Sequence, residues 1–300
     1  MKSKRNISFT AKAACFLLAA FAVIFHLSGC EQPFRKGEGD MLYKILTDKG
    51  KQHIGIDDFV SFSYIEESEA GQVISGSEDF DARPALMFRE RSRFKGDLFA
   101  ALGLLGEGDE GVFKIKHSIY KVKIHQVIAR GKLDDRSFSN KIEELRAAEN
   151  IKARDRETSR IADFVTANHI TAGAGPGLQY KVLKEGAGKK ALPGDTIEVN
   201  YTASYLGGKV FETTDKQVAE KAGLYNPLLP YKPMAVTVSG TTHLSGFEQA
   251  MLLFPKGTKA LLVIPSALAY GAAGKGAILP YTPIACTISI SDIKFQRNDD

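Results

Sequence analysis

The chain has 300 residues, with 40 Lys and Arg against 35 Asp and Glu, six His and three Cys. Four of the basic residues and none of the acidic ones fall in positions 1–29, so from residue 30 onward the balance is 36 against 35 and the apparent basicity argues for no nucleic-acid partner. Cys15 lies in that leading stretch and Cys30 directly follows it; once the stretch is removed and Cys30 is lipidated, as expected below, Cys286 stands alone and no internal disulfide can form. No His pair stands at metal-ligand spacing with acidic or thiol support, so neither a metal nor a cofactor is expected.

Lys2, Lys4, Arg5 and Lys12 precede an apolar run over 13–27. At about fifteen residues the run is shorter than the roughly twenty that span a bilayer. It ends in Leu27-Ser28-Gly29-Cys30. A positive segment, a short apolar run and small residues before a cysteine resemble a bacterial lipobox. That resemblance implies a signal peptide over 1–29, cleavage before Cys30 and diacylation of its sulfur. The exported protein is then anchored to a membrane of the cell envelope, facing the periplasm or the cell surface. The competing reading is an uncleaved anchor helix, against which the polar, Gly- and Pro-broken stretch that follows Cys30 argues.

Residues 30–40 read as a solvated tether. The remaining length, about 270 residues without low-complexity tracts, implies two domains. Over 41–130, period-two alternation in Phe59-Val60-Ser61-Phe62-Ser63-Tyr64, in Val112-Phe113-Lys114-Ile115 and in Tyr120-Lys121-Val122-Lys123-Ile124 predicts half-buried strands. A short helix is expected over 97–105, stopped by Gly106 and Gly108. Residues 131–172 form a helical linker: there is no Gly or Pro from 132 to 171, and Phe138, Ile142, Leu145, Ile161, Phe164 and Val165 recur at helical steps. One continuous helix would reach about 45 Å, and two short helices fit equally well. Apolar ends around a charged middle suggest that each end docks on a domain. A solvated spacer and a dimerisation helix both remain open.

Gly173-Ala174-Gly175-Pro176-Gly177 opens a second β-rich region, 173–300, with strands expected over 179–183, 196–206, 236–238, 260–264 and 284–293 and a helix over 246–254. Its motifs run in order. Gly177-Leu178-Gln179-Tyr180 and Pro193-Gly194-Asp195 come first, then Val199-Asn200-Tyr201-Thr202 and Gly208-Lys209-Val210-Phe211-Glu212. Leu244-Ser245-Gly246-Phe247-Glu248 follows, then Ala267-Leu268-Ala269-Tyr270-Gly271 and Ile278-Leu279-Pro280-Tyr281. Each is weak alone, but together they resemble the FKBP family of peptidyl-prolyl cis–trans isomerases over about two-fifths of the chain. The resemblance implies an α+β fold in which an antiparallel sheet wraps a short helix with a prolyl pocket between them. It further implies a foldase acting on X-Pro bonds of proline-containing polypeptides.

Carried over by motif, Tyr201 and Phe211 are pocket-wall aromatics and Phe247 is the floor. His243 and Leu244 supply peptide-binding backbone, Tyr270 donates its hydroxyl to the bound carbonyl, and Ile278 is an apolar contact on the flap. Two positions depart from the family pattern. Glu212 stands where an aspartate is usual, and the extra methylene is expected to weaken its aligned hydrogen bond. Cys286 falls, by alternation with Ile284, Ile288 and Ile290, where a phenylalanine is common, and should enlarge the pocket. Both departures leave room for a prolyl-binding chaperone or envelope-complex subunit of weak turnover as the alternative function. The stretch 215–233 is an insertion bordering the pocket, with a short helix expected over 218–223.

The first region echoes the second. Asp58 to Tyr64 has the spacing of Asp195 to Tyr201, Gly71-Gln72-Val73-Ile74-Ser75 parallels Gly208-Lys209-Val210-Phe211-Glu212, and Asp97 is set opposite Phe247. Residues 41–130 then read as a smaller, degenerate FKBP-like domain that has lost its site, with an unrelated β-rich domain as the alternative. It is expected to space the active domain from the membrane, to bind clients, or, like the linker helix, to form a homodimer.

Overall fold

The computed structural model describes residues 33–174, 177–238 and 245–296. Among these the chain forms two seven-stranded antiparallel sheets joined by one long helix. The first sheet contains β1 (Arg35–Lys36), β2 (Leu42–Thr47), β3 (Phe59–Ser68), β4 (Val73–Gly76), β5 (Ala85–Phe88), β6 (Glu110–Ile115) and β7 (Ser118–Ile128), with helix α1 (Leu98–Leu102) between β5 and β6. Helix α2 (Asp135–Ala167) follows. The second sheet contains β8 (Ala172–Ala174), β9 (Leu178–Lys184), β10 (Thr196–Tyr205), β11 (Val210–Thr213), β12 (Met234–Thr237), β13 (Lys259–Ile264) and β14 (Ile284–Lys294). Helix α3 (Lys216–Lys221) sits before β12 and α4 (Ser245–Leu253) after it. This is an α+β architecture.

The two sheets share one plan. The first has the order β1-β2-β6-β7-β3-β4 with β5 on β3; the second, read from its other edge, is β8-β9-β13-β14-β10-β11 with β12 on β10. Register agrees in detail. Asp58 accepts from the amides of Gly55 (2.6 Å) and Arg130 (2.8 Å), and Asp195 accepts from those of Leu192 (2.8 Å) and Gln296 (2.7 Å). Each aspartate thus closes the tight turn that starts the central strand and ties it to the end of the last one. Three residues on, the same register shift appears in both sheets, between Ser61 and Phe62 and between Glu198 and Val199.

Both cores follow from alternation. In the second sheet Ile284, Cys286, Ile288 and Ile290 project from one face of β14 onto Phe247, Ala250, Met251 and Phe254 of the α4 segment, spaced as one helical stripe. In the first, Phe62, Phe113, Val122 and Ile124 pack on the much shorter α1. The opposite faces are covered by α2. Phe138, Ile142 and Leu145 near its start pack on Phe59 and Ile128, while Ile161, Phe164 and Val165 near its end pack around Val263 and Ala285. Each fully buried Val, Leu, Ile, Phe or Met among them contributes about 1.5–3 kcal/mol.

The helical stretch is therefore one helix of about 50 Å rather than two. It starts where the Asp134 carboxylate accepts from the Ser137 amide at 2.9 Å. Its polar middle is not a bare spacer. Asn150 and Arg160 bond to the first sheet region and Glu157 to the second. Helix α3 begins two residues earlier than expected because Asp215 caps it, accepting from the amides of Gln217 (2.8 Å) and Val218 (3.1 Å). Among the described residues no helix is long and apolar enough to cross a membrane. The apolar run 13–27 and Cys30 lie outside the described residues.

Candidate prolyl-binding site

A cavity of about 160 Å³ opens between the second sheet and α4. Strand β10 contributes Tyr201 and Ala203, two residues apart and so on one face. Ile284 and Cys286 of β14 stand beside them by the same alternation, and Ile264 closes β13. Phe247, the third residue of α4, meets Tyr201 edge-on with ring centroids 5.7 Å apart and planes at 71°. Glu212 of β11 and Met234 of β12 form the side next to the insertion. Tyr270 and Lys275 enter from the loop 265–283, the flap.

The flap turns tightly at Gly274, whose φ of +66° and the 2.4 Å separation between a built Cβ and the Ile278 carbonyl leave no room for a side chain. The turn is closed by paired bonds between Lys275 and Ile278, at 2.8 and 3.0 Å, and it presents Lys275 at the rim. Lys275 Nζ lies 5.8 Å from the centre of the Tyr270 ring.

The polar groups are few and unequal. The Tyr201 hydroxyl donates to Glu212 Oε1 at 2.6 Å. Among the described residues no partner takes the Tyr270 hydroxyl, which leaves it able to donate to a ligand carbonyl. Burial, then the bond to Glu212, pushes the Tyr201 phenol far up from its ordinary value, and burial followed by the Glu212 charge raises Tyr270. Both stay protonated donors at neutral pH. Cys286 is 2% exposed, and burial reinforced by the Glu212 charge raises its thiol to about 12. A neutral thiol is no nucleophile at neutral pH. Among the described residues the cavity thus combines aromatic and aliphatic walls with Glu212 on one side, Lys275 at the rim and one hydroxyl donor, that of Tyr270, without a protein partner.

Of the residues singled out in the sequence, Tyr201, Glu212, Phe247, Tyr270 and Cys286 meet at this cavity. His243 and Leu244 lie outside the described residues. Phe211 does not line the cavity. It is the extra residue at the shift between the Ala203–Glu212 and Ser204–Val210 pairs, and its ring instead meets Tyr205 at 5.3 Å. Ile278 does not line it either; it is 7% exposed and occupied by the flap turn. The expected weakening at Glu212 is corrected as well, because the longer side chain still reaches Tyr201. Ala203, Met234, Ile264, Lys275 and Ile284 are the lining residues that sequence reasoning missed. Ala203 and Ile284 were within its reach, since each lies two residues from a chosen one on the same strand.

Residues 187–290 match the profile of the FKBP-type peptidyl-prolyl cis-trans isomerase family. That match covers 104 of the 300 residues, all in the C-terminal region. The chain is also similar to the outer membrane protein MIP of Legionella longbeachae, with 32% identity over 137 residues that cover 45% of this chain and 52% of that protein. The FKBP-type peptidyl-prolyl cis-trans isomerase FkpA of Escherichia coli (strain K12) is 24% identical over 237 residues, 71% of this chain and 82% of that one. The chain therefore spans about half the length of the Legionella relative and more of the other. Among solved structures, FkpA from Escherichia coli aligns at a TM-score of 0.43 and 22% identity over 54% of this chain and 74% of that one.

Proposed function

We propose that the protein is a peptidyl-prolyl cis–trans isomerase of exported polypeptides, held at an envelope membrane by lipid on Cys30. The observation that carries the reading is the convergence of Tyr201, Phe247, Tyr270 and Cys286 on one small, largely aromatic and aliphatic floor of a cavity within the FKBP-matched region. An X-Pro bond isomerises across a barrier of about 18–20 kcal/mol set by amide resonance. Twisting the bond removes the conjugation and with it carbonyl polarity, so an apolar cavity favours the twisted form over the planar one. Phe247 and Tyr201 seat the prolyl ring, Cys286 and Ala203 leave the depth for it, and the Tyr270 hydroxyl holds the neighbouring carbonyl.

The test is refolding of a proline-limited substrate protein by the full chain. Catalysis shortens the slow phase in proportion to enzyme added, and Phe247→Ala removes the effect. A slow phase that the wild-type chain leaves untouched rules the isomerase out.

A second reading, a prolyl-binding chaperone, draws on the insertion between Glu212 and Met234. There Leu228 is 88% and Leu229 56% exposed, next to a pocket for polypeptide. Suppression of client aggregation that survives Phe247→Ala and is lost in Leu228→Ser/Leu229→Ser favours it. In either reading the partners are proline-containing polypeptides and a membrane, in keeping with a Legionella relative described as an outer membrane protein. The first sheet region, 41–130, is in this proposal a degenerate copy of the second without a site. Six apolar residues of α2, from Phe138 to Val165, pack on the chain's own two sheets, while Ile151 stays 50% exposed, and a homodimer would form through α2 or the first sheet region.

A further inference from the structure

The flap that carries Tyr270 and Lys275 is fastened at both ends to parts of the chain outside the second sheet. At its start Ser266, 3% exposed, donates from its amide to Glu157 Oε1 (2.6 Å) and from Oγ to Glu157 Oε2 (2.7 Å). At its end the Pro280 carbonyl accepts from Arg83 Nη1 at 2.6 Å. Arg83 is 5% exposed, and its other nitrogen donates to Asn150 Oδ1 at 2.6 Å, so its aim is set by α2. Neighbouring Asp81 is held in turn by Arg160 Nε at 2.9 Å. A third contact runs through aromatic rings. Phe80 meets Tyr205 edge-on at 5.4 Å, and the Tyr205 hydroxyl donates to the Ala277 carbonyl at 3.1 Å.

These attachments lead to the Tyr270 backbone in few steps. The Ser266 carbonyl accepts from the Gly271 amide (2.8 Å), and the Gly271 carbonyl accepts from the Tyr281 amide (2.9 Å), next to Pro280. The apolar ends of α2 already join the two sheets. The polar bonds that Arg83 and Glu157 send into the second region land instead on one loop, the one that shapes the cavity.

We propose that Arg83 and Glu157 are positioning residues for the prolyl pocket. The first sheet region and α2 clamp the flap, so that the ligand-ready placement of Tyr270 is a property of the whole chain. The proposal rests on the prolyl-pocket reading above. The first sheet, which carries no site of its own, thereby acquires a role in the site of the second.

Three full-length variants test it. Arg83→Ala and Glu157→Ala each remove one fastening. Gly207→Ala adds a single methyl at the β10–β11 turn, where a Cβ would stand 1.9 Å from the Glu78 carbonyl oxygen, and so wedges the two regions apart without touching flap or cavity. Amide hydrogen exchange is read at Gly271 and Tyr281, together with the affinity, kcat and KM for a fluorescent tetrapeptide containing a Leu-Pro step. Each variant should speed exchange at the two flap amides about tenfold while leaving β10 and β14 protected. Each should weaken peptide affinity and raise KM by about five- to tenfold with kcat changed less than about twofold, and Arg83→Lys should recover most of the loss. Unchanged flap exchange in Arg83→Ala and Gly207→Ala overturns the clamp. Faster exchange with unchanged peptide affinity overturns the positioning role. If the wild-type chain binds no peptide, the pocket reading falls by itself, and flap exchange alone then decides whether the clamp exists.

Discussion

The two sheets are built on one plan, yet the cavity between sheet and short covering helix is found in the second, while the cleft of the first region lies on its other face, where Gln126 to Ala129 meet α2, so the plan itself does not make the site. Matching the pairs β3/β4 and β10/β11 sets Tyr64 against Tyr201, Ser75 against Glu212 and Glu66 against Ala203; matching the pairs β3/β7 and β10/β14 sets Tyr120 against Cys286. In the first sheet the two large side chains fill the space. The Tyr120 hydroxyl and Ser118 Oγ both donate to Glu66 Oε1 at 2.8 Å. The Tyr64 and Ser75 hydroxyls lie 3.3 Å apart, where Tyr201 and Glu212 bond at 2.6 Å. Where α4 presents Phe247 to its sheet, α1 presents the aliphatic Leu98. The two-residue turn after β6 stands where the second sheet has the whole flap. A pocket thus needs small residues on the sheet, an aromatic on the helix and a loop to bring in a donor.

The largest effect should come from giving the second sheet the plug of the first. Cys286→Tyr puts a phenol in the cavity, and Ala203→Glu supplies its acceptor. The double variant should lose at least about 50-fold in kcat/KM, while the overpacked core costs about 1–3 kcal/mol of stability. Near-ultraviolet circular dichroism checks that it folds. A folded double variant with wild-type activity would place the prolyl site elsewhere.

Much of this contrast was legible in the sequence, for identifiable reasons. The Asp-to-Tyr spacing survived because the capped turn and the register shift fix the central strand, and the aromatics Tyr201, Phe247 and Tyr270 lie in motifs that local geometry dictates. Asp97 is set opposite Phe247 by sequence, yet it is the cap of α1, accepting from the Ala100 amide at 2.9 Å, and the position that answers to Phe247 is its neighbour Leu98: Leu98, Ala101, Leu102 and Leu105 take the places of Phe247, Ala250, Met251 and Phe254 ahead of matching turns at Gly108 and Gly257. A one-residue offset at a helix start falls within the width of any such boundary, where the cap and the first apolar position are neighbours. Phe211 was misplaced for a related reason, since a register shift turns a side chain without changing composition. Met234 is hidden behind the insertion. The bond from Arg83 to Pro280 joins positions 197 apart and leaves no periodic trace.

A smaller effect is expected from the donor the first sheet lacks. Tyr270→Phe removes one hydroxyl and keeps the ring. A neutral hydrogen bond contributes about 0.5–1.5 kcal/mol, so kcat/KM should fall roughly tenfold or less with stability unchanged. A loss below about twofold in peptide isomerisation would take the hydroxyl out of the mechanism.

Cys286 sharpens the contrast through pH. Its thiol is raised from an ordinary 9.0 to about 12 in the folded protein. The folded state therefore keeps a proton that the unfolded chain releases. The stability linked to this group is complete below pH 9 and is lost as pH rises towards about 12. The slope approaches 1.4 kcal/mol per pH unit for one group, by about 2.3RT per proton. Urea unfolding between pH 8 and 11 should show a flatter decline in Cys286→Ala than in wild type, and identical slopes would mean that the thiol is not desolvated.

The smallest effect is expected where the same chemical change falls on the first sheet, on the face that its own side chains fill. Tyr120→Phe removes a hydroxyl, as Tyr270→Phe does, but Glu66 keeps Ser118 as a donor and no ligand is involved. The phenol of Tyr120, pushed up to about 12 by burial and by Glu66, is a protonated donor at neutral pH, so what is lost is one hydrogen bond to a carboxylate. That costs about 1 kcal/mol of stability at most, given the partial exposure of the pair. Isomerase activity should stay within about twofold of wild type, because the clamp on the flap runs through Arg83 and Glu157 and not through the plug. A Tyr120→Phe variant that lost activity as Tyr270→Phe does would mean that the plug of the first sheet and the pocket of the second are coupled, and the difference between the two sheets would then lie in more than what fills them.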